Sequence, residues 1–243
     1  MASGRLVRCR AAIDPRRGCA QRLRALRPRP GVSLIEISGY PQLFGEQGEG
    51  CLHLEAGECV VVRGDSGSGK SRLLRSLLRL DFEERGQLLL RGRDIRDWPQ
   101  TELRQQFVLV PQDPPRPAQT AREIWERILS FRSNLDMDQQ IQPLDALLER
   151  LDIQEQARRP MSELSGGEGR RLWLAMAFAL HRPVLLLDEA TSGLDERRSL
   201  AVWKLMQEQL SEGAAAIWVS HEALPLPKAS ARCYEIRASA KEA

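Results

Sequence analysis

The chain has 243 residues, enough for one domain with a full core, and carries a net charge of +3. No stretch approaches the roughly 18 consecutive apolar residues of a membrane helix, which excludes a span of that kind. Five cysteines, Cys9, Cys19, Cys51, Cys59 and Cys233, form no C-x-x-C pair and no metal-ligand spacing. A disulfide framework and a zinc site are therefore not expected; the thiols read as reduced, with Cys51 and Cys59 as small core residues of strands in a cytosolic protein.

Taken in chain order, residues 1–30 hold nine Arg and one acid, Asp14, so they sum to +8 and the remainder to −5. They contain no apolar core of about 7–15 residues, so a secretory signal is not expected. Three readings stay open: a disordered extension or a start placed too early, an arm for nucleic acid or an anionic membrane, or a targeting peptide. The first is the simplest, since such charge blocks are commonly solvated. Residues 31–240 then form the folded domain.

The run Glu58-Cys-Val-Val-Val-Arg63 predicts a strand, and Lys70-Ser-Arg-Leu-Leu-Arg-Ser-Leu-Leu-Arg79 a helix. Between them Gly64, Asp65, Ser66, Gly67, Ser68, Gly69, Lys70 and Ser71 spell G-x-x-x-x-G-K-S. In this strand–loop–helix context the motif is a phosphate cradle. Glycines without Cβ let the backbone approach phosphates and aim N–H groups at them, helped by the positive end of the following helix. Lys70 is then expected to reach the β- and γ-phosphates of a nucleotide and Ser71 to ligate Mg²⁺.

Next, Phe107-Val-Leu-Val-Pro111 reads as a strand, and the proline-rich Gln112-Asp-Pro-Pro-Arg-Pro117 disfavours helix and suits a hinge. Helix-compatible patterns follow around Thr120–Arg132 and Ile141–Leu151, with Ile124, Trp125 and Phe131 as candidate partner contacts or, more simply, core. Leu164-Ser-Gly-Gly-Glu168 precedes an apolar-periodic helix marked by Leu172, Ala175, Met176, Ala179 and Leu180. By itself Ser165 there reads as an N-cap. Pro183-Val-Leu-Leu-Leu-Asp-Glu189 reads as a buried parallel strand ending in two carboxylates, with Asp188 placed for Mg²⁺ and Glu189 for polarising an attacking water. Of the three histidines, His221 alone is given a functional place, at a strand end, whereas His53 and His181 read as structural.

These residues together resemble the nucleotide-binding subunit of ABC transporters, from about Ser33 to Arg237. The resemblance implies an α/β fold of the P-loop NTPase, ABC type: a mostly parallel RecA-like core sheet, an antiparallel β subdomain and an inserted α-helical lobe at about 113–168. It implies ATP and Mg²⁺ as cofactors. It also assigns Gln112 to the Q-loop, touching Mg²⁺ and the attacking water, and His221 to the switch that contacts the γ-phosphate. Ser165, Gly166, Gly167 and Glu168 resemble the signature motif that completes the site of the opposite subunit. Ser192-Gly-Leu-Asp195 is similar to the D-loop, placing Asp195 at the site. A head-to-tail pair of copies sandwiching two nucleotides follows, with a separately encoded membrane permease receiving the helical lobe on the cytoplasmic face. No specific nucleic acid is expected.

Three positions depart from the commonest pattern. Arg72 stands where Thr often contacts the α-phosphate, Glu168 where Gln is frequent, and Gly193 where Ala is frequent in the D-loop; none removes a catalytic group. Tyr40, thirty residues before Lys70, is the expected adenine-stacking ring, with Phe44 as a competitor and ordinary packing open to either. Only 22 residues follow His221, which is short for a regulatory barrel. The compact frame, Gly39-Tyr40 near the start, Arg104-Gln-Gln106 before the Q-loop strand, Leu164-Ser-Gly-Gly-Glu168 and Trp218-Val-Ser-His221 together look most like the small bacterial YbbL/FetA-type subunits, a group associated with iron export or metal homeostasis alongside a separate membrane permease. A non-transport ABC ATPase of a soluble assembly, such as iron–sulfur cluster assembly, shares every nucleotide motif and is the alternative.

Overall fold

Alternation builds the first sheet. In the computed structural model, which describes residues 33–40, 50–81, 86–134, 141–221 and 232–236, strands β1 (Ile35–Ser38), β2 (Cys51–Leu54), β4 (Gln87–Leu90) and β5 (Arg93–Asp94) pair antiparallel in the order β2-β1-β4-β5. The register sets Ile35 beside Leu54 and Leu90, and Ile37 beside Leu52 and Leu88, so one face is wholly apolar. The same period turns Cys51 and His53 outward; Cys51 is exposed, a correction to its expected core position, while Cys59 is buried. The basic stretch 1–30 and Phe44 lie outside the described residues.

The second sheet is parallel, in the order β6-β7-β8-β3-β9, from β3 (Cys59–Gly64), β6 (Phe107–Val110), β7 (Val184–Asp188), β8 (Ala215–Val219) and β9 (Arg232–Ile236). Every residue of β7 and β8 is buried, as expected of strands covered on both faces. Their alternate residues serve two cores. Val60, Val62, Leu186, Ile217 and Val219 join the apolar face of the antiparallel sheet and Leu73, Leu74 and Leu77 of helix α1 (Lys70–Leu77). Val61, Leu185, Leu187 and Trp218 pack instead on helices α5 (Gly166–Ala179) and α6 (Glu196–Ser211).

Between β6 and α5 lie helices α3 (Ala121–Leu129) and α4 (Leu144–Arg150), while the short helix α2 (Gln100–Gln106) leads into β6. Thr120 and Glu123 form a capping box that starts α3, while α4 begins directly after Pro143 with no side-chain cap, and its Leu144, Leu147 and Leu148 are buried. Arg171 of α5, also buried, donates to the carbonyls of Leu151 (3.0 Å) and Asp152 (2.8 Å) and ties the end of α4 to α5. Ile124 and Trp125 pack into the core, whereas Phe131 is 52% exposed. Among the described residues no helix is long and apolar enough to cross a membrane.

Register now positions the chemistry. Val62 pairs with Val219, Asp188 with Val219, and Val110 with Leu187, so the strands end level with one another. The loops after β3, β6, β7 and β8 therefore open on one edge, the carboxyl edge, where open α/β sheets bind ligands.

Candidate active site

The loop after β3 wraps tightly because its glycines adopt left-handed backbone: Gly67 has φ +79° and Gly69, the N-cap of α1, φ +92°. A Cβ at Gly67 would meet nothing within 4 Å, so the need there is conformational and not steric. No side chain caps α1 and no acid occupies its first turn, leaving the helix's positive end open toward the loop. Lys70 is 5% exposed, and its Nζ donates to the carbonyls of Gly64 (2.8 Å) and Asp65 (2.6 Å) and lies 3.2 Å from the Ser68 hydroxyl. Burial pulls its pKa below the usual lysine value, against the opposing fields of Glu189, Asp188 and Asp65. Asp65, Ser66 and Gly67 are exposed, Ser68 is buried, and Arg72 points outward from the first turn of α1.

Asp188 closes β7 and is 4% exposed. Burial raises its pKa, opposed by a hydrogen bond from Ser71 and by the Lys70 charge. Its Oδ1 is buried without a hydrogen-bond partner among the described residues. An orphaned carboxylate oxygen beside a serine hydroxyl is the donor set of a hard cation. Mg²⁺ takes one or two such protein oxygens and fills the rest of its shell from water and phosphate, so Ser71 and Asp188 fit it. Among the described residues no cluster of three His, Cys, Asp or Glu competes for a metal.

Glu189 follows in the left-handed region, with φ +49°. Two hydrogen bonds hold this conformation: its N–H donates to the Val219 carbonyl (2.9 Å), continuing the ladder, and its carbonyl accepts from Ser192 N–H (3.0 Å). The carboxylate is thereby set between two partners. Gln112 Nε2 donates to Oε2 at 3.1 Å, and His221 Nε2 lies 3.0 Å from Oε1. Two residues from two other loops thus meet on the Glu189 carboxylate beside the phosphate cradle. This is the geometry of a general base held by two orienting groups.

The signature residues sit apart from this cluster, at the start of α5. Ser165 accepts from Glu168 N–H (3.4 Å), while Glu168 accepts from Ser165 N–H (2.9 Å) and Oγ–H (2.7 Å), a full capping box. Ser165 and Gly166 are exposed, and Gly167 packs near the Leu194 side chain of the 192–195 turn. Asp195 caps α6 by accepting from Arg198 N–H at 2.8 Å. Tyr40 departs from expectation. It is 2% exposed, with its ring carbons 2.4 and 2.7 Å from where a Gly86 Cβ would stand. The absence of that Cβ lets the ring sink into the antiparallel core, which favours ordinary packing over an exposed stacking face.

Sequence reasoning missed the groups that hold these loops together. Arg170, two residues past the signature, and Trp173, one turn further, both donate to carbonyls of the 112–116 segment, and nothing in the helical pattern distinguishes them from surface positions.

A glycine-rich loop closed by Lys70, a buried carboxylate beside a serine hydroxyl and a second carboxylate held by two partners lie at the carboxyl edge of a parallel sheet, the arrangement of the P-loop nucleotide-binding class. A family model described as ABC transporter matches residues 50–192, and the chain belongs to that family. Over 177 residues it is 33% identical to the petrobactin import ATP-binding protein FpuC of Bacillus anthracis, covering 70% of this chain and 65% of that one. It thus spans just under two thirds of that relative. It is likewise 33% identical over 183 residues to the glutamine transport ATP-binding protein GlnQ of Escherichia coli K12, covering 70% and 72%. A solved structure described as the ATP-binding subunit of an ABC transporter shares the fold, with a TM-score of 0.64 at 24% identity over 78% of this chain and 80% of that one.

Proposed function

We propose that this chain is the ATP-hydrolysing motor subunit of a membrane transporter whose permease is a separate polypeptide, acting as a head-to-tail pair at the cytoplasmic membrane face. The observation that carries the reading is the Glu189 carboxylate held between Gln112 and His221 at the mouth of the phosphate loop. In this reading Lys70 and the N–H groups of residues 64–71 bind the phosphate chain. Glu189 accepts a proton from the water that attacks the γ-phosphorus as the bond to the β-phosphate oxygen breaks, and ADP and phosphate leave. Mg²⁺ held by Ser71 and Asp188, with Gln112 at its shell, would neutralise charge developing on the phosphates.

The exposed Ser165 and Gly166, with the half-buried Gly167, suit donation to the nucleotide of a second copy. For the permease, an apolar groove runs between β6 and the helices, lined by Leu109, Ile128, Phe131 and Trp173. Metal (iron) export rests on the YbbL/FetA-type motif resemblance. The two relatives described are named for petrobactin import and glutamine transport.

The test is Glu189→Gln. ATP affinity is expected to hold while turnover falls by about 10²–10⁴-fold, the worth of a positioned base, and the pair persists with Mg-ATP on gel filtration. Affinity purification of this variant from detergent extracts should retain a multi-span membrane protein in stoichiometric amount. Unchanged steady-state ATPase would remove Glu189 from its role, and a soluble scaffold in place of the membrane protein would move the chain to a non-transport assembly.

A further inference from the structure

Helix α5 begins with the signature residues, yet its second turn reaches back into this chain's own site. The Arg170 guanidinium donates through Nη2 to the Gln112 carbonyl at 2.7 Å and through Nη1 to the Ser192 carbonyl. Gln112 is the residue whose side chain orients Glu189, and Ser192 is the residue whose N–H closes the turn on the Glu189 carbonyl. One planar cation thus grips both segments that set the catalytic carboxylate. The grip matters on the Gln112 side because Pro114, Pro115 and Pro117 have no N–H to donate, and a second α5 side chain, Trp173, secures the same stretch by donating to the Pro115 carbonyl at 2.8 Å. Arg suits the bridging role better than Lys, since its rigid fork presents two donors in fixed directions.

We propose that Arg170 is a positioning residue that fixes Gln112 and the 189–192 turn together and, because it rides on the helix headed by Ser165, transmits engagement of that helix N-terminus to this chain's own Glu189. The proposal rests on the ATPase reading above. Binding of a second copy's nucleotide at Ser165 displaces or steadies α5 as a rigid element, and Arg170 makes the Gln112 and Ser192 carbonyls move with it. Two sites in a pair are then coupled through four hydrogen-bonded groups within each chain.

The test uses the full chain with Arg170→Ala, Arg170→Lys and Gln112→Ala. Arg170→Ala should lower kcat by about 10- to 100-fold through misplacement of the base, while ATP affinity stays within about twofold of wild type and the thermal midpoint is little changed. Arg170→Lys should retain the stability and recover only part of kcat. Combined with Gln112→Ala, the Arg170→Ala loss should not multiply, since both act on one carboxylate. Unchanged kcat, full activity in Arg170→Lys, losses that multiply, or a kcat loss matched by lost nucleotide binding would each overturn the proposal. Hydrogen exchange keeps it separate from the ATPase reading. Absent turnover in the wild type defeats that reading. Faster exchange confined to 108–120 and 189–196 in Arg170→Ala then still supports the tether, and unaltered exchange overturns it.

Discussion

Two helices in this protein have glycines at their N-terminal ends, Gly69 as the cap of α1 and Gly166 and Gly167 in the first turn of α5, and the two ends are built to opposite specifications. At α1 the cap is Gly69 in left-handed backbone, no side chain blocks the first N–H groups, and the one charged group of the first turns that is buried is Lys70. At α5 the Ser165–Glu168 capping box already occupies the helix end, and hydrogen bonds from the Ser165 backbone and hydroxyl hold the Glu168 carboxyl below its ordinary pKa, so it stays ionised. An open, lysine-lined end is complete as an anion site. A capped and acidic end offers directed N–H and hydroxyl groups but no net positive charge, so it contributes to a phosphate that another surface already holds. In the proposed pair, this difference lets the first motif act within its own chain and leaves the second to act on the other copy's nucleotide.

Breaking the complete end should have the larger effect. Lys70→Ala removes charge-assisted hydrogen bonds worth about 1.5–3 kcal/mol, so ATP affinity should fall about 10- to 100-fold in equilibrium titration, and turnover with it. Unchanged affinity would displace the phosphate loop from the site. Ser165→Ala should leave the chain's own ATP affinity intact, cost about 1 kcal/mol in denaturant unfolding through loss of the cap, and lower turnover about tenfold. Mixing the two variants sharpens the contrast: a head-to-tail pair then holds one site with both Lys70 and Ser165 present, so activity above the sum of the separate variants is expected. A mixture no better than that sum contradicts the shared site.

The smallest effect is on stability. Burial raises the Asp188 pKa, so the folded state binds this proton more readily than the unfolded chain, and the ionised carboxylate costs stability above the raised pKa. That cost fades as pH falls through the raised value and is gone below the ordinary aspartate range. Without nucleotide, Asp188→Asn should therefore raise the thermal midpoint at neutral pH, with the gain vanishing in acid, while losing the extra stabilisation that Mg²⁺ with ATP confers on the wild type. A neutral-pH midpoint lowered by Asp188→Asn would mean that the hydrogen bond from Ser71 and the Lys70 charge outweigh desolvation.

Much of this was readable along the chain wherever the physics is local. The strand expected over Glu58–Arg63 forms over Cys59–Gly64, and the helix starting at Lys70 ends at Leu77 and not Arg79, because Arg79 turns into left-handed backbone with φ +55°. The phosphate cradle is legible for the same reason: strand, turn and helix N-terminus are contiguous, and glycine spacing alone sets the backbone path. The four-residue apolar run before Asp188 likewise declares a buried strand with its acids at the end.

Distant encounters were a different matter. Tyr40 has suitable spacing for a base-stacking ring, but its place is decided by Gly86, a residue on another strand's approach whose missing side chain leaves the space the ring fills. Arg170 reads as one more charged residue on a helix until the fold brings two loop carbonyls within reach of its fork. Gln112, Glu189 and His221 could be named from their motifs, but their convergence on one carboxylate required parallel strands ending level. That register comes from packing two cores on opposite faces of one sheet, a property of side chains far apart in sequence and adjacent only when folded.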